Sequence, residues 1–324
     1  MPTGITCRRT GRRSPTPGTK SSPDGTHAMT TRAAAAGAAL RTSMPGILLV
    51  APLVVFLLAF YVIPFAGMLR ESFGAWTGDP EAVQAADWTL YQYQKLFDSA
   101  RTLRALWRTI EISLIAVALT FLLSYPVALL LLRLGPGLRS ALLTITFISL
   151  AASLIVRNYG WLVVLADQGP VNNLMVWLGL FERPQRLVYN KWATIVGLVH
   201  YCMPFMILPI YGALSRIPRS QWESARILGA GDWTTLRTVV LPLSMPGIFG
   251  GTTLCFAICA SAFVTPLMLG SPATSMISQV AAEQLLIQLN FPFGSAVIFT
   301  LTALMFTLVF AYALIVRKVL RINV

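Results

Sequence analysis

Apolar positions along this chain come in long unbroken runs, with almost no strict alternation. Six stretches of about 20 or more largely apolar residues can be marked, each long enough to cross a hydrocarbon core about 30 Å thick. They lie near Gly46–Leu69, Leu106–Leu132, Ala141–Ala166, Trp192–Leu214, Met245–Leu269 and Ser295–Val316. Inside a bilayer no water satisfies the backbone, so runs of this length are predicted to be helices. The expected fold is an all-α membrane protein, a bundle of six transmembrane helices spanning 45–324. Residues 1–44 are rich in Arg, Thr, Pro, Gly, Ser and Ala. That composition buries too little apolar surface to fold, and predicts a disordered basic tail. The first apolar run has no small-residue cleavage site at its end and reads as a retained anchor helix. Met29 and Met44 are plausible alternative starts.

Composition supports the same conclusion. Of 324 residues 56% are hydrophobic and 11% charged, against about 25% charged in a soluble domain. The formal charge of +13 raises the question of nucleic acid, and its distribution answers it. With the N-terminus in the cytoplasm, the cytoplasmic segments hold 16 Lys and Arg against Asp24, Glu223 and Asp232, whereas the other side holds 9 basic and 8 acidic residues. This is the positive-inside pattern of a multi-pass protein. It predicts both termini in the cytoplasm, the bilayer as a partner, and no nucleic acid.

The polar segments between the runs carry further pattern. The first outer loop contains "WTLYQYQKLFDSARTLRALW", with aromatic and charged residues at helical spacing suited to the membrane interface. In the third outer loop Met276–Leu289 is semi-apolar and too short to cross. Pro126, Pro204, Pro209 and Pro266 fall within the runs, and each predicts a bend.

The most informative interruption is "IPRSQWESARILGAGDWTTLRTVVLPLSMPGI", residues Ile217–Ile248. Ser220 and Glu223 have capping-box spacing, which predicts Ser220 as the N-cap of a short helix. Trp222, Ala225, Leu228 and Gly229 then share one arc, with Glu223 and Ile227 pointing elsewhere. Gly229 is expected to stop that helix in the left-handed conformation. Asp232 would cap a second short helix, Trp233–Val240, ending before Pro242.

The spacing Glu223-Ser224-Ala225, three residues, Gly229, nine residues, Val239, one residue, Leu241-Pro242 resembles the E-A-A-x3-G-x9-I-x-L-P coupling loop of ABC-importer permeases. Ser224 stands for the first Ala and Val239 for Ile. The resemblance implies that Glu223, Ser224, Ala225, Gly229, Val239, Leu241 and Pro242 dock onto a cytoplasmic ABC ATPase dimer. It also implies a second homologous permease, an extracytoplasmic solute-binding protein, and a bacterial inner-membrane location. No G-x-x-x-x-G-K-[ST] run occurs in the chain, so no phosphate loop is expected here and ATP would be bound by a separate subunit. The chain is expected to be a transport subunit and not an enzyme, with no cofactor or metal.

The stretches "SLIVRNYGWLVVLADQGPVNNLM", "LVHYCMPFMILPIYGALSRIP" and "SAFVTPLMLGSPATSMISQVAAEQ" look like those of spermidine/putrescine-type permeases, and the likeness runs from about 45 to 320. A polyamine-like solute is therefore implied, with phosphonate, ferric iron, opines or other amino compounds as the alternatives within the same branch. Asp167 and Glu283 in the outer loops could meet an ammonium group, or serve structure and docking. Arg157, Tyr159 and Trp161 either anchor at the interface or line the pathway. Arg108, three residues before Glu111, is the expected partner of that carboxylate. His200 reads as a hydrogen-bonded bundle residue. Cys255 and Cys259 share a helix face and read as small core residues, with no disulfide expected. A secondary transporter would place unpaired carboxylates or His inside its spans, where only Glu111 and His200 occur. No constellation for a membrane-embedded enzyme is visible.

Overall fold

The computed structural model describes residues 50–74 and 88–322, without the side chains of 317 and 319–322. The 1–44 tail expected to be disordered lies outside these residues, as does part of the first loop. Every described element is helical. The chain divides into two units, Met1–Pro64 and Phe65–Val324. The helix α1 covers Val50–Glu71, so the described part of the first unit is one apolar helical stretch with a π turn at Leu58–Val62.

The second unit holds the bundle. Its elements are α2 (Tyr91–Asp98), α3 (Ala100–Arg133), α4 (Pro136–Ala151), α5 (Leu154–Val164), α6 (Pro170–Trp177) and α7 (Lys191–Leu214). They are followed by α8 (Arg219–Ile227), α9 (Asp232–Ala260), α10 (Val264–Leu269), α11 (Ile277–Ala282) and α12 (Phe291–Ile322). Among the described residues five helices are long and apolar enough to span a bilayer: α1, α3, α7, α9 and α12. The predicted third span is not one rod. It is the pair α4 and α5, bent by 101°, and it completes a count of six only as a broken span.

Neither glycine nor proline sits at that break. Ala152 and Ser153 are extended, with ψ of 132° and 133°. What holds the bend is Arg157, whose guanidinium turns back to the carbonyls of Ser149 and Ala152 at the end of α4. Carbonyls left open at a helix C-terminus are acceptors, and a cation is favoured there. The predicted fifth span is also corrected. Its helix begins at Asp232, thirteen residues before the expected Met245, and stops at Ala260. After a short interruption α10 forms a separate helix through Leu269.

Two of the prolines act through the turn before them. Pro64 and Pro242 each follow a π turn by one residue, after Leu58–Val62 and Leu236–Val240. At Leu241 the amide bonds five residues back to Leu236. The wider turn takes up the bond that a proline cannot make, so α9 runs through Pro242 where the pattern predicted an end.

The core sits where α3, α7 and α9 meet. Along α3 the buried positions include Thr109, Ser113, Ala116, Thr120 and Ser124, a stripe of small residues that lets the neighbouring helix approach closely. Gly247 and Gly251 do the same on α9. A Cβ at Gly247 would lie 2.5 Å from the Pro209 carbonyl oxygen, and one at Gly251 would lie 2.9 Å from the Met206 sulfur. Outside this core, α12 buries nothing across its most apolar stretch, as befits a helix with lipid for a neighbour.

Interfacial segments are tied down by polar contacts. Thr109 Oγ1 accepts a 2.8 Å hydrogen bond from the Ile277 amide at the start of α11. The semi-apolar segment of the third loop is α11 followed by a π turn at Glu283–Ile287. Glu111 pairs with Lys191 at 2.7 Å, not with Arg108. The tertiary partner from α7 wins over the neighbour on the same helix.

Candidate functional site

The segment joining α7 to α9 forms a two-helix knob. Its first helix, α8, starts two residues earlier than the capping pattern predicted. Pro218 is the N-cap, and no side chain caps the helix. Ser220 therefore falls inside the first turn, and the expected capping box with Glu223 is not made. Glu223 is exposed and has no hydrogen bond or ion pair among the described residues. Asp232 likewise does not cap. Gly231 is the N-cap of α9, and Asp232 occupies its first turn.

Gly229 stops α8 as expected, at φ +82°. The Ala230 amide bonds to the Ala225 carbonyl at 3.0 Å and the Gly229 amide to that of Arg226 at 2.9 Å. These are the two hydrogen bonds of a Schellman motif, which satisfy carbonyls that the helix end would leave open. Across the turn Arg226 and Asp232 form an ion pair at 2.9 Å. The turn is thus closed twice, once by backbone and once by charge.

The predicted apolar arc divides in two. Trp222 is half-buried against the bundle core and Ala225 is buried, which roots α8. Leu228 is 87% exposed, and beside it Ile227 is 85% and Trp233 74% exposed. Large apolar side chains presented this openly on a polar loop mark an interaction surface. Between α8 and the start of α9 lies a shallow groove of about 410 Å³, lined by Ser220, Ser224, Ala225, Leu228, Thr238 and Val239. The fold therefore brings Val239 against the neighbouring pair Ser224 and Ala225, which precede it by 15 and 14 residues. Leu241 and Pro242, both half-buried, lie in the helix that continues from the groove into the bundle. Sequence inspection placed Ile227 away from the arc and did not single out Trp233 or the Arg226–Asp232 clasp. Opposite charges flanking the glycine turn were the available signal.

At the other end of the bundle the broken spans meet. Asn158 on α5 donates a 3.1 Å hydrogen bond to Thr265 on α10, both fully buried. Arg157, also buried, stacks on the Tyr201 ring at 5.3 Å. Trp161 donates to His200 Nδ1 at 3.1 Å. Tyr159 points outward and is exposed. Glu283 is held by Arg101 at 2.6 Å, and Asp167 is exposed with no bond among the described residues. Arg157, Trp161 and His200 thus gather around the break, and Tyr159, Asp167 and Glu283 do not join them. Among the described residues no group of His, Cys, Asp and Glu could hold a metal ion.

Comparison with known proteins places this architecture. The chain is 33% identical over 256 residues to the spermidine/putrescine transport system permease protein PotB of Haemophilus influenzae, covering 79% of this chain and 88% of that one. It is 29% identical over 264 residues to PotB of Escherichia coli K12, covering 82% and 95%. Among solved structures the fold matches a bacterial ABC transporter involved in the import of alginate, with a TM-score of 0.72 at 18% identity over 86% of this chain and 97% of the other. A chain of the MetNI methionine ABC transporter matches with a TM-score of 0.50 at 20% identity, over 68% and 95%. The family model for the binding-protein-dependent transport system inner membrane component matches residues 38–321. With nearly all of its bundle inside that match, the chain belongs to the family of binding-protein-dependent transport system inner-membrane components, multi-pass membrane proteins of transport.

Proposed function

We propose that this chain is one permease subunit of an ATP-driven importer, coupled through its knob to a separate ATPase dimer. The observation that carries the proposal is the knob itself. Glu223, Ser224, Ala225 and Gly229 lie on the helix and turn, and Val239, Leu241 and Pro242 on the helix that follows; the doubly closed turn between them leaves Ile227, Leu228 and Trp233 bare. An apolar tip of this kind, rooted in the bundle by Trp222, suits a groove on a partner protein. Burying it would recover hydrophobic free energy that exposure forgoes. The chain contains no phosphate-loop sequence, so nucleotide binding belongs to the partner. The knob faces the cytoplasm in this reading, with both termini on the same side as the charge distribution requires. The 1–44 segment is a cytoplasmic tail ahead of a 45–324 permease domain. A second permease supplies the other half of the pathway, and an external binding protein delivers the solute.

The solute is proposed to be a polyamine such as spermidine or putrescine, on the strength of the PotB relatives. Of the two outer-loop carboxylates named as ammonium partners, Glu283 is already engaged by Arg101, and Asp167 is the one proposed to meet the solute. Competition uptake with spermidine, putrescine, phosphonate and ferric iron tests this. The polyamine assignment fails if neither polyamine competes while another solute does. The coupling assignment is tested separately. The purified chain alone should neither hydrolyse ATP nor drive uptake, and ATPase activity from this polypeptide would overturn it.

A further inference from the structure

The packing of α7 against α9 puts three of the four cysteines in one place. Cys202 lies in the middle of α7, and Cys255 and Cys259 lie near the end of α9, all fully buried and all free thiols. Cys202 Sγ is 3.4 Å from Cys259 Sγ. Cys255 takes a different role, its thiol donating to the Cys202 backbone carbonyl at 3.5 Å. Gly247, Gly251, Cys255 and Cys259 recur every four residues on one face of α9. The same seam that admits the Pro209 and Met206 backbone closely against the glycines carries the thiols into contact.

We propose that Cys202 and Cys259 form an oxidisable dithiol whose disulfide staples α7 to α9 and stops transport until it is reduced. Two sulfurs already touching need to approach by little more than 1 Å to reach a bond length of about 2.05 Å. In the step the two thiols lose two protons and two electrons and form one S–S bond. A small neutral peroxide, which can enter an apolar bundle, accepts them as its O–O bond breaks, leaving two waters. The consequence follows from where the helices lead. Both run directly into the knob, so a knob moved by its ATPase displaces α7 and α9 together at one end. The seam of small residues lets them shear at the other, sliding being the motion that packed helices tolerate. A covalent link far from the knob forbids that slide. This consequence rests on the permease reading; the dithiol itself does not.

The test uses the assembled importer in membrane vesicles, with Cys7→Ser as background to remove the tail thiol. Vesicles are treated with hydrogen peroxide or diamide, then with dithiothreitol, and both peptide linkage and uptake are followed. The expected result is a Cys202–Cys259 linked peptide by mass spectrometry, loss of uptake on oxidation and recovery on reduction. Cys202→Ala and Cys259→Ala should transport under both conditions, and Cys255→Ala should still form the link. Absence of the linked peptide, at oxidant levels that oxidise an added exposed thiol, overturns the dithiol. A linked peptide with full uptake overturns the staple, as does equal inhibition of the Ala variants. If the reduced importer does not transport at all, the permease reading is at fault, while the peptide map still decides the dithiol.

Discussion

Gly229 in the knob and Gly247 in the α7–α9 seam both favour glycine, for opposite reasons. Gly229 has φ +82° and open space around its Cβ position, with nothing within 4 Å. Gly247 has ordinary helical backbone, but a Cβ there would lie 2.5 Å from the Pro209 carbonyl oxygen and 2.6 Å from the Ala213 Cβ. The first glycine is required by conformation and the second by space. The knob is consequently shaped by its own few residues, whereas the seam exists only once another helix has arrived. On the proposed function, coupling and folding are thereby placed in separable parts of the molecule.

Substitution at Gly247 should break the comparison most forcefully. Gly247→Ala adds one methyl group against backbone that cannot swing aside, and overpacking of this kind costs about 1–3 kcal/mol. The expected outcome is a lower midpoint of thermal unfolding in detergent and a lower yield of inserted protein. An unchanged midpoint would mean that the seam is loose and that α7 and α9 are not close-packed there.

Gly229→Val comes next in stability and first in function. A β-branched residue held in the left-handed region costs about 1–2 kcal/mol, but the cost is confined to a turn outside the core. The bundle should insert and fold at normal levels while pull-down of the ATPase weakens and uptake is lost. Full transport by Gly229→Val would reduce the knob to a connector.

The Arg226–Asp232 clasp should matter less. Both side chains are mostly exposed, and pairs of that kind contribute about 0.2–1 kcal/mol, less at high salt. Asp232→Asn should therefore leave the unfolding midpoint nearly unchanged and reduce uptake modestly, because the backbone bonds of the turn still close it. A loss as severe as that of Gly229→Val would show that charge, and not the Schellman geometry, sets the angle between α8 and α9.

How much of this was legible before the structure divides along the same line. Local chemistry was readable: Gly229 as a helix stop, the short α11 segment, and five long apolar helices all follow from residues close together in the chain. Features decided by a neighbouring helix were not. The run Ala141–Ala166 looks like one span because its break uses no proline or glycine. It is made by Arg157 reaching back to the end of α4, and the polar pair Arg157-Asn158 inside an apolar run was its only trace. Glu111 was assigned to Arg108 on the same helix, but Lys191 from α7 takes it. Cys255 and Cys259 could be put on one face, whereas their partner Cys202 lies 53 residues before the nearer of them. The capping box failed for a different reason. Pro218 takes the N-cap two residues before Ser220, so a pattern correct in spacing was wrong in phase.

That failure sharpens the last prediction, which concerns Glu223 and should have the smallest effect on stability. Had Glu223 closed a capping box, its removal would cost the helix a hydrogen bond, and Gln would replace it. In the structure the carboxylate is exposed and unbonded among the described residues, so Glu223→Ala and Glu223→Gln should both lie within about 0.5 kcal/mol of the parent, as surface substitutions usually do. If the knob docks on an ATPase as proposed, this free carboxylate is available to pair with a cation there. On that argument both variants should lose uptake at matched membrane expression, Gln nearly as much as Ala, because charge and not hydrogen bonding is what the partner reads. The loss should come with faster dissociation of the ATPase, since truncating a buried charge pair acts mainly on the off-rate. Normal uptake by Glu223→Gln would place the carboxylate outside the interface, and docking would then rest on Ile227, Leu228 and Trp233 alone.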